Sequence, residues 1–593
     1  MDFFSLFGSS PLVCTISVTS CLIAGLCASA LALLRHMHMF QLNSYDGGVH
    51  RRWMKANRKR MRSHVLALVV ALFLIGMHVF VLGVLKIDSF DSGLLEKLVY
   101  YILILFPVWR GTALPLGMMF FFSDLCFRNR PVKGAKKPLA LTDRVKRMLG
   151  AAAVMAAAVL AAAAAAGYFL LGKELDAVDM VIVFGELRGV PRVAEGFLLW
   201  PAALGLIYAA VPFMPIWANA MNRPIEAEGR RRYTEDAKRL LASCPNLLVI
   251  GITGSYGKTS MKYYLSHLLR AKYDVLMTPE SYNTPMGVVK TIREQLRATH
   301  QVFVCEMGAK YEGEIKELCD IVGPTHGILT SIGPQHLETF KSMEVIAKTK
   351  FELADAVAGK GAMLVNGDDG IIAASLRGLR GNGGFLTYGC GRDNGYFAYD
   401  VSVSDEGTVF SMGYGAERIE GLRTRLIGEH NVTNLVGAIG MSLFLGVSPE
   451  DVRARLPKIT PPPHRLALSR SGGVTIIDDS YNSNPHGSAA ALRTLALFEG
   501  CRVLVTPGMV ELGERQWELN REFGAHAARV CDYVMLVGEA QTRPIREGLA
   551  AAGFDAARLR VAATVQEALA MAYGAPSDKP KVILIENDLP DNY

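Results

Sequence analysis

The chain has 593 residues, with 63 Lys and Arg against 55 Asp and Glu, a formal net charge of +8, and 51% apolar residues. That length fits about three or four domains, and a mean hydropathy of +0.24 is high for a soluble protein, so part of the chain is expected in a membrane. The ten cysteines are scattered, with no Cys-x-x-Cys pair and no His cluster at metal spacing, which argues against a zinc site or a disulfide scaffold.

Five stretches in the first third carry the roughly 20 apolar residues that a spanning helix needs. They are 12–34, 65–85, 98–122, 148–171 and 196–218. No basic residue precedes the first, so it reads as a retained span rather than a cleaved leader. The first loop between spans holds Arg51, Arg52, Lys55, Arg58, Lys59, Arg60 and Arg62, and the third holds Arg128, Arg130, Lys133, Lys136, Lys137, Arg144, Lys146 and Arg147. The second and fourth are short of cations and hold Asp88, Asp91, Glu174, Asp176, Asp179 and Glu186. Cations collect on the cytoplasmic side, so the N-terminus is expected outside and everything after Ala218 inside. The expectation is a multi-pass protein of the cytoplasmic membrane, in contact with its lipids, whose soluble part faces cytoplasmic ATP. The same topology accounts for the basic excess, so no nucleic-acid partner is expected.

Arg110 falls within the third stretch, between Pro107 and Pro115. An intramembrane cation is either a partner for a lipid phosphate or a snorkelling guanidinium paired with backbone carbonyls. Residues 219–244 are polar, with Arg230, Arg231 and Arg232, and read as a juxtamembrane connector.

From about residue 245 the pattern changes to strand-length apolar runs separated by Gly, Pro and charged helices, the pattern of an α/β protein. The run Leu247-Leu-Val-Ile250 leads into Gly251-Ile-Thr-Gly-Ser-Tyr-Gly-Lys-Thr-Ser260 and then a helix-compatible stretch. Gly254 and Gly257 allow backbone N–H groups to close around phosphate oxygens at a helix N-terminus. Lys258 supplies a point charge and Thr259 a hydroxyl for Mg2+. The strict eight-residue phosphate loop has Gly where Ile252 stands.

This G-x-x-G-K-T-S form resembles the Mur ligases, and the resemblance continues to the end of the chain. Ser281-Tyr-Asn-Thr-Pro-Met-Gly287 is similar to the family's loop after the first helix, and Glu306 ends an apolar strand where the family has a carboxylate metal ligand. His336, in Gly-Pro-Gln-His-Leu-Glu-Thr-Phe, matches a second metal ligand. Lys350, with Lys348 beside it, matches a lysine that the family carbamylates with CO2. Gly428-Glu-His-Asn-Val-Thr-Asn434 resembles an element that brings Asn431 and Asn434 to the nucleotide. After Pro461-Pro-Pro463, His464-Arg-Leu466 and the run Asp478-Asp-Ser-Tyr-Asn-Ser-Asn-Pro485 resemble the subfamily that adds D-alanyl-D-alanine to a muramoyl tripeptide.

Hydropathy gives an N-terminal α-helical membrane domain of about five spans (1–218) and a connector (219–244), and the resemblance implies an α/β P-loop central domain (245–460) and an α/β Rossmann-like C-terminal domain (461–593) after them. It implies ATP contacts from Gly254, Ser255, Gly257, Lys258, Thr259, Ser260, Asn283, Asn431, Asn434, Arg465 and Asp479. Metal ligation is implied at Thr259, Glu306, His336 and carbamylated Lys350, with Lys258, His336 and Lys350 in catalytic roles. The implied reaction activates a carboxylate as an acyl phosphate and couples it to an amino acid or dipeptide.

Two departures stand out. Apolar spans occupy the place of the family's UDP-sugar domain, and Leu-Ile-Glu-Asn-Asp-Leu-Pro-Asp-Asn-Tyr593 stands where the subfamily carries a Lys-Gly-Ser-Arg segment. A lipid-linked acceptor, either a peptidoglycan precursor or another polymer, is therefore expected. The competing readings are a synthetase of poly-γ-glutamate type, a non-catalytic scaffold for wall enzymes and a nucleotide-driven transporter.

Overall fold

The computed structural model describes residues 11–84, 114–128, 138–172, 179–183, 186–190, 199–335, 337–378, 384–481, 483–510 and 512–588. They fall into two compact units, one up to Glu228 and one from Gly229 onward.

The first unit is mainly helical: α1 (Pro11–Leu42), α2 (Gly47–Ala56), α3 (Arg58–Val84), α4 (Leu114–Arg128), α5 (Asp143–Gly172), α6 (Leu199–Ala210) and α7 (Met214–Ala242), which runs past the unit boundary. A two-stranded antiparallel ribbon, β1 (Asp179–Val183) and β2 (Glu186–Val190), lies between α5 and α6. Small residues let the helices approach closely. A Cβ on Gly25 would meet Leu204 Cδ1 at 2.7 Å, and one on Gly205 would meet Ala71 Cβ at 2.9 Å. On α3, Ala67, Ala71 and Leu74 are buried while Val65, Leu66, Val69, Leu72 and Phe73 are exposed. A helix that is apolar all round is not the surface helix of a water-soluble domain.

Two helical segments among the described residues, Thr19–Leu42 and Asp143–Ala166, are long and apolar enough to cross a membrane. The pair Trp200–Ala210 and Met214–Ala242, bent by 72°, makes a third if it is one span. The described residues therefore do not carry the five spans expected from hydropathy. Pro212 explains the break in the fifth, because proline removes a helical N–H and clashes with the preceding turn. Most of the third stretch, with Arg110, lies outside the described residues.

The second unit holds two sheets. The larger contains β3 (Leu248–Thr253), β4 (Val275–Met277), β5 (Val302–Glu306), β6 (His326–Leu329), β7 (Met363–Asn366), β8 (Phe385–Gly389), β9 (Tyr396–Ser404), β10 (Gly407–Tyr414) and β11 (Glu417–Thr424). Their order is β11-β10-β9-β8-β7-β6-β3-β5-β4, parallel from β4 through β9 and antiparallel at the β9–β10–β11 end. Helices α8 (Lys258–Leu269), α9 (Met343–Val357) and α10 (Glu429–Phe444) are among those covering it. β3 is buried on both faces, Val249 in one core and Ile250 and Ile252 in the other, as a central parallel strand requires.

The smaller sheet comprises β12 (Ala467–Ser471), β13 (Val474–Asp479), β14 (Cys501–Thr506), β15 (Tyr533–Val537), β16 (Leu559–Ala562) and β17 (Lys581–Glu586). Its order is β12-β13-β17-β14-β15-β16, parallel except for the β12–β13 edge. The last strand, β17, thus inserts between β13 and β14.

Candidate active site

The central strand β3 fixes where the glycine loop begins. Gly254 has φ +145° and Gly257 φ +82°, and a Cβ on them would meet Thr330 Oγ1 at 2.1 Å and Asn434 Oδ1 at 2.8 Å. Both positions need glycine for backbone angle and for close approach. The loop is braced from the segment after β6: Ser255 N–H donates to Ser331 O at 2.7 Å, and Tyr256 N–H donates to Ser331 Oγ at 3.1 Å. Ser255 Oγ donates to Gly333 O at 3.0 Å. α8 then starts at Lys258, with its N-terminal amides toward the loop, the arrangement that binds phosphate.

Lys258 Nζ donates to Gly254 O at 2.7 Å and Ser255 O at 3.1 Å. Burial draws its ammonium down to about 8, against the pull of the Glu306 carboxylate. Ser260, the next hydroxyl, is buried beside Tyr264.

Glu306 ends β5, next to β3, and is 1% exposed. Its Oε1 accepts from Thr259 Oγ1 at 3.1 Å and from Asn283 Nδ2 at 2.9 Å. Its Oε2 lies 3.0 Å from the ammonium of Lys262, itself 0% exposed, as an ion pair. Burial pushes Glu306 up, but Lys262 and Lys258 outweigh it and hold the carboxyl below its ordinary value.

Thr259 Oγ1 and Glu306 Oε1 are hard oxygen donors 3.1 Å apart. That is close to the roughly 3 Å between neighbouring ligands of an octahedral ion bonded at about 2.1 Å, so the pair fits Mg2+. Among the described residues no group of three His, Cys, Asp or Glu could hold a metal. His336 lies outside the described residues.

Lys350 points inward from α9, 2% exposed, with its Nζ 6.0 Å from the centre of the Phe340 ring. Burial and then the charge of Lys258 draw it down to about 7, against Glu314 and Glu352. Its neighbour Lys348 is exposed and pairs with Glu312 at 2.7 Å, so Lys350 is the inward lysine of the two.

Asn434 packs against the loop through Gly257, whereas Asn431 is spent on structure. The Asn431 Oδ1 accepts from Tyr264 OH at 2.8 Å and its Nδ2 donates to Ile427 O at 2.9 Å, tying α10 to α8. From the turn just before β12, Arg465 stacks 4.7 Å over Tyr481 and its Nη2 donates to Thr259 Oγ1 at 3.4 Å. Asp479 Oδ1 accepts from Leu466 N–H at 3.2 Å, which ties it to the residue after Arg465.

Sequence reasoning passes over two residues, Lys262 and Glu586. Lys262 had a signal: it stands three residues after Thr259 on one helix and so shares its face. Glu586 had none, because only the sheet order brings it beside Asp479.

A glycine-rich loop between a central parallel strand and a helix, with a lysine, a hydroxyl and a carboxylate converging and an arginine arriving from a second α/β domain, defines a phosphate-binding nucleotide protein of two domains. Residues 252–442 match the Mur ligase middle domain and residues 464–586 the Mur ligase, glutamate ligase domain. The chain belongs to the Mur ligase family, whose members are ATP-dependent ligases.

It is 32% identical over 284 residues to the UDP-N-acetylmuramoyl-tripeptide--D-alanyl-D-alanine ligase of Bacillus subtilis, over 47% of this chain and 59% of that one. It is 35% identical over 315 residues to the enzyme of the same name from Mycobacterium tuberculosis H37Rv, over 50% of this chain and 59% of that one. The chain thus spans about three fifths of the length of these curated relatives. A crystal structure of MurF from Acinetobacter baumannii superposes with a TM-score of 0.55 at 27% identity, over 60% of this chain and 77% of that one.

Proposed function

We propose that this protein is an ATP-dependent ligase of envelope biosynthesis that joins a carboxylate to an amine through an acyl phosphate. In this reading its N-terminal helices tether it to the inner face of the cytoplasmic membrane, and its acceptor is lipid-linked. The observation that carries the reading is the convergence of Lys258, Thr259, Glu306 and Arg465 on one glycine loop.

A carboxylate is a poor electrophile at neutral pH and has to be activated by phosphoryl transfer before an amine can displace the activating group. The loop amides and Lys258 would hold the β- and γ-phosphates of ATP, as electrostatic positioning requires. Mg2+, when held by Thr259 and Glu306, supplies neutralisation of charge on the transferring phosphoryl group. Arg465 brings a fixed cation from the C-terminal domain, so closing that domain both completes the site and shields an acyl phosphate from water.

Lys350 is suited to carbamylation, because a buried amine drawn down to about 7 is largely neutral at cytoplasmic pH and able to attack CO2. The carbamate would give His336 an anionic oxygen partner for a second ion. Replacing Lys350 with Ala is expected to lower turnover by more than the roughly 10–100-fold that loss of an outer-sphere metal partner costs. Added acetate or formate is expected to restore part of it by supplying the missing carboxylate. Loss of turnover without such rescue would assign Lys350 to packing.

The reading is tested by ATP-dependent phosphate release from the detergent-purified full chain. UDP-linked and lipid-linked peptide acceptors are compared, each with and without D-alanyl-D-alanine. Release that requires the lipid-linked acceptor is the expected result. Release with the UDP-linked peptide alone refutes the lipid-linked acceptor, and release with neither refutes this substrate pair.

A further inference from the structure

The first half of α7 has its faces the wrong way round for a helix in water. Its polar side chains lie on the side that packs against the helical unit. Asn222 is buried and donates through Nδ2 to Ala218 O at 2.7 Å. Asn219 accepts from Arg144 Nη2 at 2.8 Å and donates to Tyr45 O at 3.3 Å, and Glu226 pairs with Arg147. Met214 and Ala218 are buried on the same side.

The apolar side chains point out instead. Phe213, just before the helix, and Trp217, Ala220, Met221, Pro224 and Ile225 recur at helical spacing, and all are exposed. The large ones run from 43% exposed at Phe213 to 57% at Ile225. At 1.5 Å per residue this face is about 18 Å long. It stops where the same side of the helix carries Glu228, Arg231 and Arg232. Single exposed apolar residues are ordinary, but a continuous face of them marks an interaction surface.

The surroundings of the face select a lipid surface as its occupant. α7 follows α6, whose 12 residues carry no charged side chain, across a bend of 72°. An α6 standing upright in a bilayer therefore lays α7 close to the bilayer plane. Phe213 and Trp217 stack with ring centres 6.0 Å apart, and aromatic rings collect at the headgroup level. Tyr45, Arg144 and Arg147, which hold the inner side of α7, belong to the first and third loops between spans, the two that carry the cations. The face thus opens at the basic end of the helical unit, the end that anionic headgroups attract.

We propose that the Phe213–Ile225 face of α7 lies in the cytoplasmic headgroup region of the bilayer, with its apolar side chains in the acyl boundary. This placement rests on the membrane tether of the function proposed above. It adds that α7 is a surface helix and not the second half of a span.

The test reconstitutes the full chain into vesicles of phosphatidylethanolamine and phosphatidylglycerol. Their acyl chains carry bromine either just below the headgroup or near the terminal methyl. The Trp217 fluorescence is read as the difference between the wild type and Trp217→Phe. Shallow bromine is expected to quench it several-fold more than deep bromine, at every protein-to-lipid ratio. The same difference read in a Met221→Glu, Ile225→Glu background is expected to lose most of that quenching. Both residues are exposed, so circular dichroism and the Tm should stay at the wild-type values, and the wild-type depth comparison does not depend on this variant.

Stronger quenching by deep bromine overturns the proposal by making α7 part of a span. Quenching by neither bromine, with Trp217 open to aqueous iodide, overturns it by leaving the face in water. Quenching by neither, with iodide excluded until the chain is diluted into excess lipid, overturns it in favour of a second copy of the chain. In all three cases a chain that still floats with the vesicles keeps its tether. A chain that does not enter the vesicles removes the tether and this placement together.

Discussion

Lys258→Ala is expected to lower ATP-dependent phosphate release by roughly 10²–10³-fold or more, the range seen when a single fixed donor to developing charge is removed. The fold should survive. Lys258 Nζ contributes two hydrogen bonds to the loop carbonyls of Gly254 and Ser255, and net losses of about 1 kcal/mol each do not unfold a domain with two separate cores. Lys258→Arg is expected to recover little, because a planar fork does not replace a compact ammonium inside a turn closed by Gly254 and Gly257. Equilibrium ATP binding and phosphate release measured on the same preparations check this. Turnover within a few-fold of wild type would remove Lys258 from the reaction and the ligase reading with it.

Sequence legibility followed the range of the interactions. The glycine loop was readable because strand, turn, Lys258 and Thr259 are consecutive, and each backbone demand is met by the residue at that place. Glu306 was marked by its position at the end of an apolar run, but its use depends on β5 lying beside β3, a pairing between distant segments. Lys262 carried a helical-spacing signal and was hidden by its charge, since a lysine on a helix is normally solvated. The Asp479–Glu586 contact was invisible for a physical reason: β17 crosses back to insert between β13 and β14, and no local pattern encodes that insertion. The helical unit was legible in part, with two segments long and apolar enough to cross a membrane and a third if the bent pair is one span. Hydropathy measures composition over a window, and it runs on through Pro212, where the backbone turns by 72° between α6 and α7.

The buried pair of Lys262 and Glu306 gives the largest expected effect on stability. Their charges lie 3.0 Å apart at 0% and 1% exposure, so removing one strands the other in a low-dielectric interior. Glu306→Ala is expected to cost about 3–5 kcal/mol, because Lys262 is left as a buried cation. Thr259 Oγ1 and Asn283 Nδ2 lose their acceptor as well. Lys262→Met is expected to cost a similar amount by leaving Glu306 without its nearest counter-charge. The double substitution Lys262→Met with Glu306→Gln removes both charges and keeps an acceptor for Thr259 and Asn283. It should regain most of the stability, since replacing a buried pair by neutral groups of similar size is often nearly neutral. Turnover should stay lost, because a single hydroxyl on Thr259 does not hold a hard dication. Urea unfolding of the wild type, Lys262→Met, Glu306→Gln and the double variant, all full-length and followed with phosphate release on each, gives the coupling energy and the activity together. A double variant as unstable as the sum of the singles would mean that the charges are uncoupled. Lys262 would then serve mainly to hold Glu280 O, its other partner at the end of the loop before Asn283. A stable double variant that still turns over would instead remove Glu306 from metal binding and leave it a structural carboxylate.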